Sequence, residues 1–337
     1  MKHFVSLLVV CALPACGSST PGDALGGGGG PASPVILAVS PGGIFFIDDE
    51  DDTSSTATMQ TTTLDRIPLA GGDLTALLST ARSPTSLALD ATSAYVLDLA
   101  GVEQIPQAGG TATTLVPTSA LTGTPTSLTV LAGGALAWFE LDPNATSGQI
   151  MVRPAPQSGT PVAPMPVVMN LLQPCALAAD TANLYWLDCS TSQLGSLPLT
   201  GIASATPTVL AMNLALTTPA PGPTLVAAGG SVFWTTPGSG AIHKLPAAGG
   251  TPVTLTAGAG QIASGLATDG TELYWLTQPD LASGTDTVWK MPTAGGTPTE
   301  VLSPDQDSQG GYGPIAIDAS YLYFWDNDHA TIRRLAR

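Results

Sequence analysis

Cations are scarce in this 337-residue sequence: nine Lys and Arg stand against 25 Asp and Glu, for a formal net charge of −16. Apart from the neighbouring Arg333 and Arg334 they form no patch. That excludes nucleic-acid binding and a polybasic membrane contact, both of which need clustered positive charge. Charged residues of either sign make up only 10% of the chain and histidines number three, so the side chains that carry most acid–base and metal chemistry are few. No apolar run approaches the roughly 20 residues that a helix needs to cross a bilayer. No GxGxxG or Walker spacing occurs, which removes the common phosphate cradles. Glycine (38) and proline (30) are abundant and 44% of residues are hydrophobic, a turn-rich composition with enough apolar surface for a core.

Near the N-terminus Lys2 precedes FVSLLVVCALPA, an apolar stretch about ten residues long that suits the h-region of a secretory signal. It ends in LPAC, which resembles the lipobox of bacterial lipoproteins, although Pro14 stands where Ala or Ser is commoner. The resemblance implies that residues 1–15 are a signal peptide and that Cys16 becomes the lipidated first residue. Gly17 after the cysteine implies, by the sorting rule of that family, the outer membrane. Residues 17–33, GSSTPGDALGGGGGPAS, read as a flexible tether. The expected organisation is therefore a signal (1–15), a lipidated Cys and tether (16–33) and one folded domain (34–337), exported and lipid-anchored in the cell envelope.

From Pro34 onward one pattern recurs seven times: a small apolar strand, a turn, an aromatic strand, a variable loop, and two strands joined by a Gly-containing turn. In the fourth copy these parts are CALAAD, LYWLD, QLGSLPL and TPTVL. The aromatic strands align on Phe45, Tyr95, Trp138, Tyr185, Phe233, Tyr274 and Tyr323, each paired with the next residue, at a period of about 46 residues that suits four short strands per unit. Two consecutive large aromatics are wrong for a strand with one wet face and right for one covered on both, as in a propeller blade. Asp90, Asp180, Asp269 and Asp318 stand five residues before the aromatic position, where the side chain can close a tight turn on its own backbone. IPLAGG, IPQAGG, LPAAGG and MPTAGG place Gly71, Gly109, Gly249 and Gly295 at hairpin turns that need positive φ. The expected fold is an all-β propeller of seven blades, the last with three strands because the seventh copy stops at TIRRLAR; six blades with one irregular copy is the alternative.

LYWLD, VFWTT and LYWLT resemble the YWTD motif of YWTD- and NHL-type β-propellers, and the repeat as a whole resembles propeller-repeat lipoproteins of bacteria. The resemblance covers 34–337 and bears on architecture more than on function.

Chemistry is sparse. The first strands of the copies carry no His, Glu or Lys, and His243 and His329 lie apart in sequence and would have to be brought together with a carboxylate to form a triad. Cys175 and Cys189 flank a turn that brings them opposite each other, within reach of a disulfide in an exported protein. The acidic residues gather in the loops that follow the second and fourth strands, which share one face of the disc. Asp48, Asp49, Glu50, Asp51, Asp52, Asp305, Asp307, Asp326 and Asp328 are the candidate ligand-binding residues there. Asp305 and Asp307 imitate the first half of a calcium loop without its terminal Glu, so Ca²⁺ is the only cofactor they suggest. The expected protein is a monomeric, non-catalytic binding module, met by a protein or envelope partner and by the membrane through its lipid alone. A propeller enzyme of lyase or lactonase type, with a site in the same loops, and a structural envelope component are the alternatives.

Overall fold

The computed structural model describes residues 8–9, 23–26, 34–50, 61–80, 84–142, 147–155, 162–216, 222–236, 239–256, 262–278, 287–303, 312–326 and 331–337. Seven antiparallel sheets form a ring, blades 1 to 7 spanning 34–80, 86–117, 124–171, 174–211, 225–256, 262–302 and 312–336. Within each blade the strands are lettered a to d from the channel outward, and each strand a meets the strand a of the next blade round the full circle. The turns joining strands a and b hold two to five residues, whereas the b–c loops hold two to ten and the connections between blades two to thirteen. The a–b and c–d connections share one face, here the turn face; the b–c and inter-blade connections share the other, the loop face. The c–d connection of blade 3, residues 154–164, is longer than the regular turns the sequence suggests for that face.

The consecutive aromatics are explained by the packing. Seven separate apolar clusters fill the seven blade interfaces, and the pleat sends alternate residues of each strand b to opposite neighbours. In blade 4, Tyr185 and Leu187 pack toward blade 5 while Leu184 and Trp186 pack toward blade 3. Trp186 lies flat over Gly195 of the adjacent strand, where an added Cβ would sit 2.3 Å from the indole ring.

Two sequence expectations need correction. In blade 3, Leu136 and Trp138 face blade 2 while Ala137 and Phe139 face blade 4, so the residue equivalent to Tyr185 is Ala137, one place earlier than the aromatic count places it. A small residue at that position hides it from a search for aromatics. The second concerns 17–33. The last repeat contributes three strands, Tyr312–Ile317, Tyr321–Asp326 and Thr331–Ala336, as its sequence does. The tether, however, contains the strand Asp23–Gly26, which lies antiparallel along Thr331–Ala336 with Asp23 opposite Arg334 and Gly26 opposite Ile332. A rim strand is held by backbone hydrogen bonds and needs no apolar alternation, so DALG carries no strand signature. Leu8–Val9, inside the expected signal, pairs with Leu37 and Ala38 of blade 1 on the channel side.

Candidate functional site

The turn face is built from a repeated hydrogen-bonded unit. The Oδ1 atom of Asp90 accepts the backbone N–H groups of Thr92 (2.7 Å) and Ser93 (2.8 Å), and its Oδ2 accepts the Tyr95 hydroxyl at 2.6 Å. Asp180 repeats this with Ala182, Asn183 and Tyr185, and Asp318 with Ser320, Tyr321 and Tyr323. Asp269 accepts the N–H groups of Thr271 and Glu272, but its second oxygen takes Arg337 from blade 7. Burial raises the Asp269 carboxyl, yet the two N–H groups and Arg337 outweigh it and hold the pKa down to about 2. For Tyr95, Tyr185 and Tyr323, burial and the accepting aspartate push the hydroxyl pKa upward. These four aspartates close turns, as their spacing predicts. Gly71, Gly109, Gly249 and Gly295 have φ between 83° and 96°, each donating its N–H to the carbonyl of the proline three residues earlier.

Cations of this face tie blades together. Lys244 of blade 5 donates to the Thr293 carbonyl of blade 6 at 2.8 Å, and Arg334 of blade 7 donates to the Leu69 carbonyl of blade 1 at 2.6 Å. Arg153 differs. It faces blade 2 at a strand-c position filled elsewhere by Ile67, Ile105, Leu197, Leu245, Met291 and Leu335. It is 5% exposed, its Nε has no hydrogen-bond partner, and burial lowers its pKa while the nearby Tyr95 opposes that shift.

On the loop face a residue at or near the end of strand b forms a second series that the sequence reading did not isolate. Counting three residues on from the aromatic position gives Asp48, Asp98, Glu140, Asp188, Thr236, Thr277 and Asp326, with Ala137 as the blade 3 reference. Asp98, Glu140 and Asp188 bind loop N–H groups, whereas Thr236, Thr277 and Asp326 meet the strand-c side chains His243, Trp289 and Arg333. Asp188 accepts four backbone N–H groups, from Leu172, Gln173, Ser190 and Thr191, at 2.8–3.2 Å. Glu140 accepts the Thr122 N–H at 2.9 Å and the Trp138 indole at 3.0 Å, and Asp98 accepts the Ala100 N–H at 2.6 Å. Asp326, expected as a candidate ligand-binding residue of a loop, ends strand b instead: it is 3% exposed and ion-paired with Arg333 at 2.9 Å. The signal was available as a polar residue at a fixed offset after each aromatic strand.

Asp48, Asp49 and Glu50 end strand b of blade 1 on this face, Asp48 opposite Thr63. Asp51, Asp52, Asp305, Asp307 and Asp328, with Cys16 and His329, lie outside the described residues. Among the described residues no group of three or more His, Cys, Asp or Glu is placed to hold a metal. Cys175 and Cys189 form the expected disulfide across strands a and b of blade 4, with Cα atoms 5.9 Å apart. His243 stacks on Trp234 with ring centroids 5.3 Å apart, and its ring nitrogens meet the hydroxyls of Thr236 (2.6 Å) and Thr254 (3.1 Å). Burial lowers its pKa, and both nitrogens are engaged in the blade. The seven innermost strands carry no carboxylate, imidazole, amine or amide side chain.

No family model matches the sequence, and no curated protein matches it. Solved structures do. A puromycin-hydrolysing peptidase of Mycobacterium tuberculosis is similar over 80% of this chain and 50% of its own, at 17% identity and TM-score 0.55. A catalytically inactive virginiamycin B lyase of Staphylococcus aureus, with quinupristin, is similar over 87% of this chain and 99% of its own, at 15% identity and TM-score 0.52. At such identities the likeness establishes the β-propeller fold and nothing of the chemistry.

Proposed function

We propose that the chain is an exported, lipid-anchored envelope protein whose seven-bladed disc works as a non-catalytic binding module through its loop face. One observation carries the reading. The loop face combines the variable connections with Asp48, Asp49 and Glu50 at the end of strand b in blade 1, while Glu140 and Asp188 hold loop N–H groups and Asp326 is paired with Arg333. The innermost strands offer no acid–base group, which favours binding over catalysis at the channel. A disulfide suits an oxidising compartment and so supports export.

The test is cross-linking and capture from whole envelopes, comparing the wild type with a variant in which residues 51–60 are replaced by Gly and Ser of equal length. The expected result is loss of partners from the variant with unchanged melting temperature. Identical partner sets would put binding elsewhere. Loss of a catalytic turnover, rather than of a partner, would favour the propeller-enzyme alternative.

A further inference from the structure

The N-terminal rim strand fixes more than the ring. Were residues 17–33 a free tether, the anchor at Cys16 could stand roughly 60 Å from the folded domain. With Asp23–Gly26 paired to blade 7, only residues 17–22 separate Cys16 from folded structure, a reach of about 25 Å. The direction of pairing decides which side they leave from. Thr331–Ala336 runs from the loop face to the turn face, and Asp23 lies opposite Arg334 in its turn-face half. The chain from Cys16 therefore reaches the disc at the rim of blade 7, on its turn-face side.

Charge is divided between the same two faces. On the turn-face side the acidic residues Asp23, Asp73, Asp90, Asp180, Asp269, Glu272, Glu300 and Asp318 are largely offset by Arg66, Arg153, Lys244, Lys290, Arg334 and Arg337. On the loop-face side Asp48, Asp49, Glu50, Asp65, Asp98, Glu103, Glu140, Asp142, Asp188 and Asp326 meet only Arg333 among the described residues. Six-residue strands separate the faces by about 20 Å, well beyond the ~8 Å over which physiological salt screens charge. An anionic leaflet repels the second face far more than the first.

Resting on the lipoprotein reading above, we infer that the disc is held against the bilayer by the turn-face rim of blades 7 and 1, with the acidic loop face turned away from the lipid. Ala319 and Ala70, exposed on the turns of those two blades, are the nearest protein surface to the headgroups. Ser190, exposed on the loop face of blade 4, lies farthest from them.

The experiment places a photo-reactive amino acid at Ala319, at Ala70 or at Ser190 of the full-length protein expressed in an export-competent bacterium. Membranes are irradiated and adducts with phospholipid are read by mass spectrometry. Lipid adducts at Ala319 and Ala70 with none above background at Ser190 are the expected result. Inserting about 20 Gly and Ser residues after Gly17 frees the disc and brings the first two to background. Acylated, membrane-bound protein with equal adducts at all three positions, or with adducts at Ser190 alone, overturns the orientation. Soluble protein without acyl mass on Cys16 overturns the anchor reading and the orientation with it.

Discussion

The two ends of the second strand in blade 4 solve the same problem by different means. At the turn face Asp180 accepts two backbone N–H groups and one tyrosine hydroxyl, an arrangement repeated almost unchanged at Asp90 and Asp318. At the loop face Asp188 accepts four N–H groups from two different loops, and the neighbouring Cys189 is bonded to Cys175. Short turns of constant length can be closed by one recurring local device. At the loop face the equivalent position meets a different partner in each blade, so the series is chemically mixed: Asp98, Glu140 and Asp188 hold loop N–H groups, and Thr236, Thr277 and Asp326 hold strand-c side chains.

That contrast can be broken from either side. The largest effect is expected from replacing Cys175 and Cys189 together by Ser: the bridge spans 14 residues, and its loss costs about 3 kcal/mol, read as a lower denaturant midpoint. Thioglycol reduction of the wild type gives the same shift. Next, Asp188→Ala strands four part-buried N–H groups and costs about 2 to 3 kcal/mol, whereas Asp180→Ala, with fewer and more exposed bonds, costs about 1 to 2 kcal/mol. Equal losses from the two would show that the loop-face lock is no stronger than the turn.

Arg153→Leu has the opposite sign. The other six blades carry an apolar side chain there, so removing a buried cation whose Nε has no hydrogen-bond partner stabilises by about 1 kcal/mol, seen as a raised melting temperature. The smallest effect is that of acid on the turn face. Asp269 is held at about 2 against an ordinary 3.8, so its bonds stabilise the fold fully above that ordinary value. The contribution is lost as pH falls through about 2. Asp269→Asn flattens the acid limb of a stability–pH curve, and an unchanged limb would contradict the assignment.

The architecture was legible because it rests on local signals that tertiary structure does not override. Consecutive aromatics at Tyr185 and Trp186 demand two dry faces, and Gly249 after Pro-Ala-Ala demands a turn with positive φ. What escaped depends on partners remote in sequence or on the absence of a signal. Ala137 sits where an aromatic was sought, and Asp23–Gly26 is held by backbone alone. The disulfide was readable because both cysteines flank one hairpin. The role of Asp326 was not, since its partner Arg333 comes from the next strand and its burial from the blade interface.

The rim strand also sets a schedule for assembly. Asp23–Gly26 is synthesised well before its partner Thr331–Ala336, with the first six blades between them. Until then the molecule is an open arc of six blades. Its blade 1 end, with Leu37, Ile44 and Phe46, stays uncovered until Tyr323 and Trp325 arrive. The most adhesive surface of the chain is therefore shielded last, and the interval before closure is when it is most open to misassociation.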